Sequence, residues 1–220
     1  PSFYSAGSTA NPYKLKDVIA WGTNQWTSFY RSFYFAKRLV SITATDAPDL
    51  SNVTDMREAF YDAERLVSIN NLGSWDVSGV TNFDSTFKRC FDFNEPGIAS
   101  WDTSSATTMR EMFFQCSDFD QDISSWNVSN VNIMYRMFYG ANTFNQPLDN
   151  WDVSNVSNMY RMFYTATSFN QPLNTWNTSS VTDMGGMFAY SPFNNNSIAN
   201  WDVSNVTNMG DMFNGANAFN

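Results

Sequence analysis

Histidine is absent from all 220 residues. Its absence excludes Ser-His-Asp and Cys-His nucleophilic catalysis and every histidine-ligated metal site, which removes most hydrolytic triads and most zinc enzymes. Positive charge is scarce too: 12 Lys and Arg stand against 21 Asp and Glu, for a net charge of −9 and a sequence pI near 4.3. A nucleic acid needs a basic face that displaces counterions from its phosphates, so nucleic acid is excluded as a partner, and an anionic membrane surface is disfavoured for the same reason. No apolar run approaches the roughly 18 residues of a membrane-spanning helix, so no direct membrane insertion is expected of this segment. Cysteine is limited to Cys90 and Cys116.

Aromatic residues are abundant instead, at 17% of the chain, with 20 Phe, 10 Tyr and 8 Trp. That is more than an ordinary core requires, and the excess falls on a repeat. Trp75, Trp101, Trp126, Trp151, Trp176 and Trp201 recur at spacings of 26, 25, 25, 25 and 25 residues. Two earlier units of 27 residues align with them, one opened by Trp21 and one with Pro48 in the tryptophan's place. Eight units therefore start at 21, 48, 75, 101, 126, 151, 176 and 201, the last incomplete at Asn220. A fixed period of this length signals a stacked-coil architecture. Counting each start as position 1, position 13 is phenylalanine in all eight units: Phe33, Phe60, Phe87, Phe113, Phe138, Phe163, Phe188 and Phe213.

Apolar residues at positions 6, 9, 12, 13 and 16, such as Val156, Met159, Met162, Phe163 and Ala166, follow the i, i+3, i+4, i+7 rule. Their spacing predicts about two helical turns with one buried face. Thr or Ser at position 7 stands where an N-cap would sit, and Asn at positions 5 and 8 suits an entering turn. Beyond position 16 the pattern becomes extended, with Pro147 and Pro172 where no ladder donor is needed. The fold class predicted is a repeat solenoid, leucine-rich-repeat-like, with one short strand and one short helical turn segment per coil of about 25 residues. Residues 1–20 lack the repeat and read as an N-terminal cap with a lead-in strand, Lys14 to Ile19, before the eight-coil solenoid of residues 21–220. No matching cap follows the eighth unit, and no initiator Met or signal peptide precedes Pro1, so a processed chain or a fragment is expected.

The units read W-D-V-S-N-V-T-N-M-x-x-M-F-x-G-A-x-x-F-N, seen almost letter for letter from Trp201 to Asn220 and again from Trp126 to Leu148. In this the chain resembles the BspA-like surface-protein repeat of Mycoplasma lipoproteins and bacterial cell-surface proteins, over roughly nine tenths of its length. The first unit departs from it, with Trp26 where valine is usual and Phe29 and Ser32 where methionine is usual. The resemblance implies a leucine-rich-repeat-type solenoid displayed outside the cell, acting in adhesion or attachment. It offers no site to carry over.

Four sets of residues are candidates for more than packing. Position 14 holds Tyr34, Tyr61, Phe114, Tyr139 and Tyr164, interrupted by Lys88 and expected to face outward; Tyr135 and Tyr160 at position 10 and Arg136 and Arg161 at position 11 complete an aromatic and arginine ridge. Tyr and Arg dominate binding hot spots, although such rings also shield neighbouring backbone. Asp49, Asp76, Asp102, Asp152 and Asp202 at position 2 form a ladder, with Asn127 and Asn177 between; it suits Asx turns and is a candidate calcium row, calcium being the one cofactor considered. Cys90 and Cys116, both at position 16 of consecutive units, either fill an alanine-sized slot as thiols or form a disulfide, which needs Cα atoms within about 7 Å. Asn145 with Asn170 and Gln146 with Gln171 line up as stacked amides or as a polar face for glycans. Six Asn-X-Ser/Thr sequons begin at Asn52, Asn127, Asn155, Asn177, Asn195 and Asn205, five of them explained by the repeat motif itself.

The acids sit at repeated positions and make no isolated pair, so no enzyme is expected. The function expected is an extracellular or surface-displayed recognition or adhesion module that binds a protein or glycan over several coils. The alternative is a structural subunit of a coat, filament or appendage, whose copies meet through solenoid ends and the aromatic ridge.

Overall fold

Valine, methionine and phenylalanine at positions 6, 9, 12 and 13 are buried through the first seven coils as their spacing predicts, yet among the described residues no α-helix carries them. The computed structural model describes residues 12–219. Among these, the regular elements are four 3₁₀ turns, at Pro12–Lys14, Leu72–Ser74, Pro96–Ser100 and Asn196–Ile198, and a parallel pair of two-residue strands, β1 (Ser41–Ile42) and β2 (Ser68–Ile69). The rest is turns and irregular extended segments, joined from coil to coil by parallel bridges at position 8 that run from Asp55↔Asn82 to Asp183↔Asn208.

What replaces the helix is a chain of turns. Positions 11 and 15 are left-handed in all eight coils, with φ between 52° and 68°, at Arg31 and Phe35 in the first coil through to Asp211 and Gly215 in the eighth. Coil 6 illustrates the result. The amides of Met162, Tyr164 and Ala166 donate to carbonyls three residues back, at Met159, Arg161 and Phe163. The intervening amides of Met159, Arg161, Phe163 and Thr165 point along the solenoid axis and donate to Asp183, Gly185, Met187 and Ala189 of the next coil, each at 2.9 Å. Two four-residue turn cycles are nearly indistinguishable in sequence from two helical turns, because periods of 4 and 3.6 diverge little over so short a run. The difference is energetic. A helix would keep its amides to itself and, at about 10 Å across, splay the coils, whereas the turn chain lets them pack at the roughly 4.8 Å spacing of a β-ladder.

That spacing is read directly from the rings. The eight phenylalanines of position 13 form one column, with adjacent centroids 4.9 to 5.9 Å apart and planes within 13° of parallel. From coil 3 onward a second phenylalanine in the same coil stacks on each of them, as Phe169 does on Phe163 at 4.0 Å. The opening tryptophans from Trp21 to Trp176 are buried, and from the fourth coil onward their indoles are satisfied: Trp101, Trp126, Trp151, Trp176 and Trp201 donate Nε1 to Leu72, Ile98, Ile123, Leu148 and Leu173, each acceptor lying three residues before the previous unit's tryptophan. Pro48 breaks this register. The corresponding carbonyl for Trp75 belongs to Thr45, which accepts Asn71 Nδ2 instead, and the buried Trp75 Nε1 has no hydrogen-bond partner. Its ring stands edge-on to Trp21, with centroids 5.2 Å apart.

The polar positions of the repeat serve the same ladder. Thr or Ser at position 7 is not an N-cap: Thr182 donates both its amide and its hydroxyl to the carbonyl of Ser157, its counterpart one coil earlier, as Thr207 does to Thr182. At position 5, Asn155 and Asn205 donate side-chain amides to Ser129 and Ser179 of the preceding coils. The cap assigned to residues 1–20 lies partly outside the described residues. Within them, the Val18 carbonyl accepts from Thr43 and Ala44, and the Asp17 carboxylate accepts from Thr43, so this segment lies along the end of the first coil.

Candidate functional site

Positions 10, 11, 14 and 15 are the part of the turn chain that faces away from the phenylalanine column, because the left-handed residues at 11 and 15 project outward between buried neighbours. The ridge assembles here, but its rings do not present their faces. Tyr34 lies on Tyr61 at 5.0 Å, Phe114 on Tyr139 at 4.6 Å and Tyr139 on Tyr164 at 4.7 Å, all nearly parallel and half-buried. Lys88 does not interrupt this column: its ammonium sits over the rings of Tyr61 and Phe114, at 5.5 and 4.7 Å. Tyr135 stacks on Tyr160 at 5.4 Å in the neighbouring column. Position 14 thus turns away from the phenylalanine column, and because coil spacing matches ring stacking it presents ring edges and hydroxyls rather than separate ring faces. Burial accordingly raises the pKa values of Tyr34, Tyr61 and Tyr164.

Arginines fill the gaps between rings. Arg136 reaches Tyr135, Tyr139 and Tyr160 at 4.8 to 5.7 Å, and Arg161 reaches Tyr160 and Tyr164 at 5.0 and 4.9 Å. Such stacking is favourable by about 0.5 to 2 kcal/mol per contact, more where water is excluded. In coils 2 to 4 the ridge becomes ionic. Position 10 runs Arg57, Asp84, Arg110 and position 11 runs Glu58, Ser85, Glu111. The short side chains of Asp84 and Ser85 leave a cleft of about 370 Å³ between their longer neighbours. Lys88 donates to Glu111 at 2.7 Å across its edge, and Arg31 pairs with Glu58. At Asp84 burial raises the pKa against the opposing pull of hydrogen bonds from Thr108 and the Arg110 amide and of the charges of Arg110 and Arg57.

Three further clefts open on the same arc. One lies over Gly140, one beside Tyr190 and Gly215, and one of about 180 Å³ is walled by Tyr160 and Arg161 and floored by Gly186 and Gly210. The last of these was not legible from the consensus. Its signal is departure from it, where Gly186 and Gly210 replace the arginines and rings of positions 11 and 10.

The remaining candidates serve the scaffold. Each of Asp49, Asp76, Asp102, Asp152 and Asp202 accepts the amide of the serine two residues on, in an Asx turn that Asn127 and Asn177 repeat. Those serine hydrogen bonds lower the pKa of Asp49, Asp102, Asp152 and Asp202. Among the described residues no group of three or more Asp, Glu, Cys or His converges as a metal site, so the row does not form the calcium cage considered for it. Cys90 and Cys116 are free thiols, fully buried. Each Sγ–H is turned one coil back, Cys90 to the Phe60 carbonyl at 3.0 Å and Cys116 to Phe87 at 2.9 Å, which corrects the disulfide alternative; burial raises both thiol pKa values. Asn145, Asn170 and Asn194 form a ladder in which each backbone amide donates to a side-chain Oδ1 of the preceding coil, on Asp120, Asn145 and Asn170, and Gln146 and Gln171 donate alongside, so these groups are engaged from coil to coil.

A family described as "Mycoplasma protein of unknown function, DUF285" matches residues 8–69, 27–147, 54–176 and 146–220. Overlapping matches of this kind are what a periodic chain produces. Among solved structures the chain is similar to a leucine-rich repeat protein from Bacteroides ovatus ATCC 8483, at 13% identity and a TM-score of 0.39, covering 86% of this chain. The chain spans 56% of that protein's length. No curated protein matches it.

Proposed function

The chain belongs to the family described as Mycoplasma protein of unknown function, DUF285, and we propose that it is a recognition module of the BspA-like, leucine-rich-repeat type, displayed at a cell or particle surface and binding a protein or glycan across several coils. The observation that carries this reading is the common placement of its concavities. The four clefts described above open on positions 8 to 18, and together their linings draw on all eight coils. The tryptophan side and the Asn ladder, in contrast, are occupied by coil-to-coil hydrogen bonds. A surface of this form gathers affinity from many modest contacts held in fixed register by a rigid scaffold. A net charge of −9 favours neutral or basic partners over anionic ones. The reading assigns the chain no catalysis.

The purified chain, presented to an array of glycans and extracellular-matrix proteins while its solution mass is recorded, tests the proposal. Selective retention by a monomer, weakened at least tenfold when Lys88 and Arg110 in the ionic cleft are replaced by Gln, is the expected result. Absence of retention, with mass rising with concentration, would overturn it in favour of a self-assembling structural subunit.

A further inference from the structure

The column of rings at position 10 ends abruptly. Tyr135 stacks on Tyr160, and on the far side of Tyr160 coil 7 has Gly185, whose Cα the ring overhangs so closely that a Cβ would lie 3.0 Å from Tyr160 Cδ2. Coil 8 has Gly210 at the same position. Over Gly185 the place of a ring is taken by the Asn208 side chain, whose Nδ2 would lie 2.6 Å from a Cβ there, and the space opens at Gly210, where a Cβ would meet only Asn208 Oδ1. The resulting notch of about 180 Å³ is lined by Tyr160, Arg161, Gly186, Asn208, Gly210 and Asp211.

Its walls differ from the rest of the ridge in having unspent hydrogen-bonding capacity of both signs. Glu58 and Glu111 are tied to Arg31 and Lys88 in the ionic cleft. In the notch, by contrast, the Arg161 guanidinium lies over Tyr160 and Tyr164, and among the described residues no carboxylate comes within ion-pair distance of it. Asp211, two coils on, receives only a long side-chain contact from Asn214 Nδ2, at 3.5 Å. Asn208 donates one amide hydrogen to Asp183 and holds the Gly210 amide on its Oδ1, leaving its second N–H free. A half-buried aromatic ring, a set of free N–H donors and a free carboxylate thus meet around a space of about six waters' volume.

We propose that this notch binds a single neutral sugar ring, one unit of a glycan, packed against the edge of Tyr160 with its hydroxyls shared between Arg161 and Asp211. A pyranose matches each element: its C–H face suits an aromatic wall, and each hydroxyl both donates and accepts, so a guanidinium and a carboxylate can be satisfied together without charge on the ligand. An anionic ligand would meet Asp211 and the net charge of −9, and an aliphatic one would leave Arg161 and Asp211 without partners. The inference rests on the recognition-module reading and names a ligand class and a site within it.

Saturation-transfer NMR with the methyl glycosides of glucose, galactose, mannose and N-acetylglucosamine, with N-acetylneuraminate as the acidic comparison, provides the test on the full chain. Binding of at least one neutral glycoside with a Kd on the order of millimolar is expected, weakened tenfold or more by Gly210→Leu and by Asp211→Asn. Gly210→Leu is chosen because a Cβ there meets only Asn208 Oδ1, at 3.5 Å, and the backbone is not left-handed, so the notch is filled without disturbing the coil; Asp211→Asn keeps a residue type that tolerates φ of 58°. Unchanged circular dichroism and Tm in both variants confirms that they fold. The proposal is overturned if no neutral glycoside binds, if N-acetylneuraminate is preferred, or if both variants bind as the parent does. Array retention that persists in Gly210→Leu without glycoside binding would sink the notch and leave the broader module reading standing; glycoside binding at the notch with no array ligand would do the reverse.

Discussion

Phe163 lies parallel to Phe188 of the next coil, with 5.7 Å between ring centroids and 2° between planes. Phe138 flanks it on the other side at 5.5 Å, and Phe169 stacks on it at 4.0 Å within its own coil. Truncating a ring held on three sides removes its transfer energy and leaves a cavity that the rigid column cannot close. Phe163→Ala is therefore expected to destabilise the chain by about 3 to 5 kcal/mol. Its neighbour Tyr164 is half-buried and stacks on Tyr139 alone in parallel geometry, so Tyr164→Ala should cost nearer 1 kcal/mol. Urea denaturation of both variants checks the pair, and equal losses would mean that the inward and outward positions have been exchanged.

Left-handed backbone at Thr165 stores strain that glycine would release. A β-branched residue at φ of 53° costs about 1 to 2 kcal/mol, against the roughly 0.5 to 1 kcal/mol of unfolded-state entropy that glycine adds. Thr165→Gly should consequently raise stability by about 0.5 kcal/mol, and Gly140 already occupies the equivalent place one coil earlier, at φ of 67°. The reverse change, Gly140→Val, combines the strain with a Cβ that would meet Gln115 Cγ at 3.2 Å, and is expected to lower the Tm clearly.

How the repeat could be legible while its backbone was not follows from these residues. Position 13 announced itself as Phe in every unit, and the column forms as that regularity implies. Position 15 holds Phe35, Asp62, Arg89, Gln115, Gly140, Thr165, Tyr190 and Gly215, a set with no common chemistry, yet all eight share one left-handed conformation. Inter-coil hydrogen bonds impose it, and only three glycines among the sixteen left-handed places of positions 11 and 15 hint at it in the sequence. The ridge was likewise visible as a set of residues but not as a stack, because ring orientation depends on coil spacing, which was itself concealed by the helix-like period. The notch was hidden for a different reason: it is made by side chains that are missing.

Thiol chemistry separates the buried-cysteine arrangement from a cross-link. Cys90 and Cys116 are both fully buried, with pKa values raised by burial and with each S–H donated to a carbonyl. Neither thiolate forms at pH 8 in the folded chain, so labelling by Ellman's reagent should be negligible until denaturant unfolds it, at which point two thiols titrate. Reductant should leave the Tm unchanged.

Asp84 provides the pH-dependent case. Burial raises its folded-state pKa even though Arg57 and Arg110 lie on either side, so the folded chain binds this proton more tightly than the unfolded chain does. The sign follows from linkage: the charged carboxylate is a liability above the folded pKa, and the penalty disappears as pH falls through the raised folded value to the ordinary unfolded one. Asn at this place keeps an Oδ1 to accept from Thr108 Oγ1 and the Arg110 amide while removing the charge. Asp84→Asn is therefore expected to be more stable than the parent at pH 7, with the gap closing as the pH is lowered toward 4. Melting curves across that range decide it. A gap that stays constant with pH would locate the effect in packing, and a loss of stability at pH 7 would mean that the two arginines hold the carboxylate more firmly than burial opposes it.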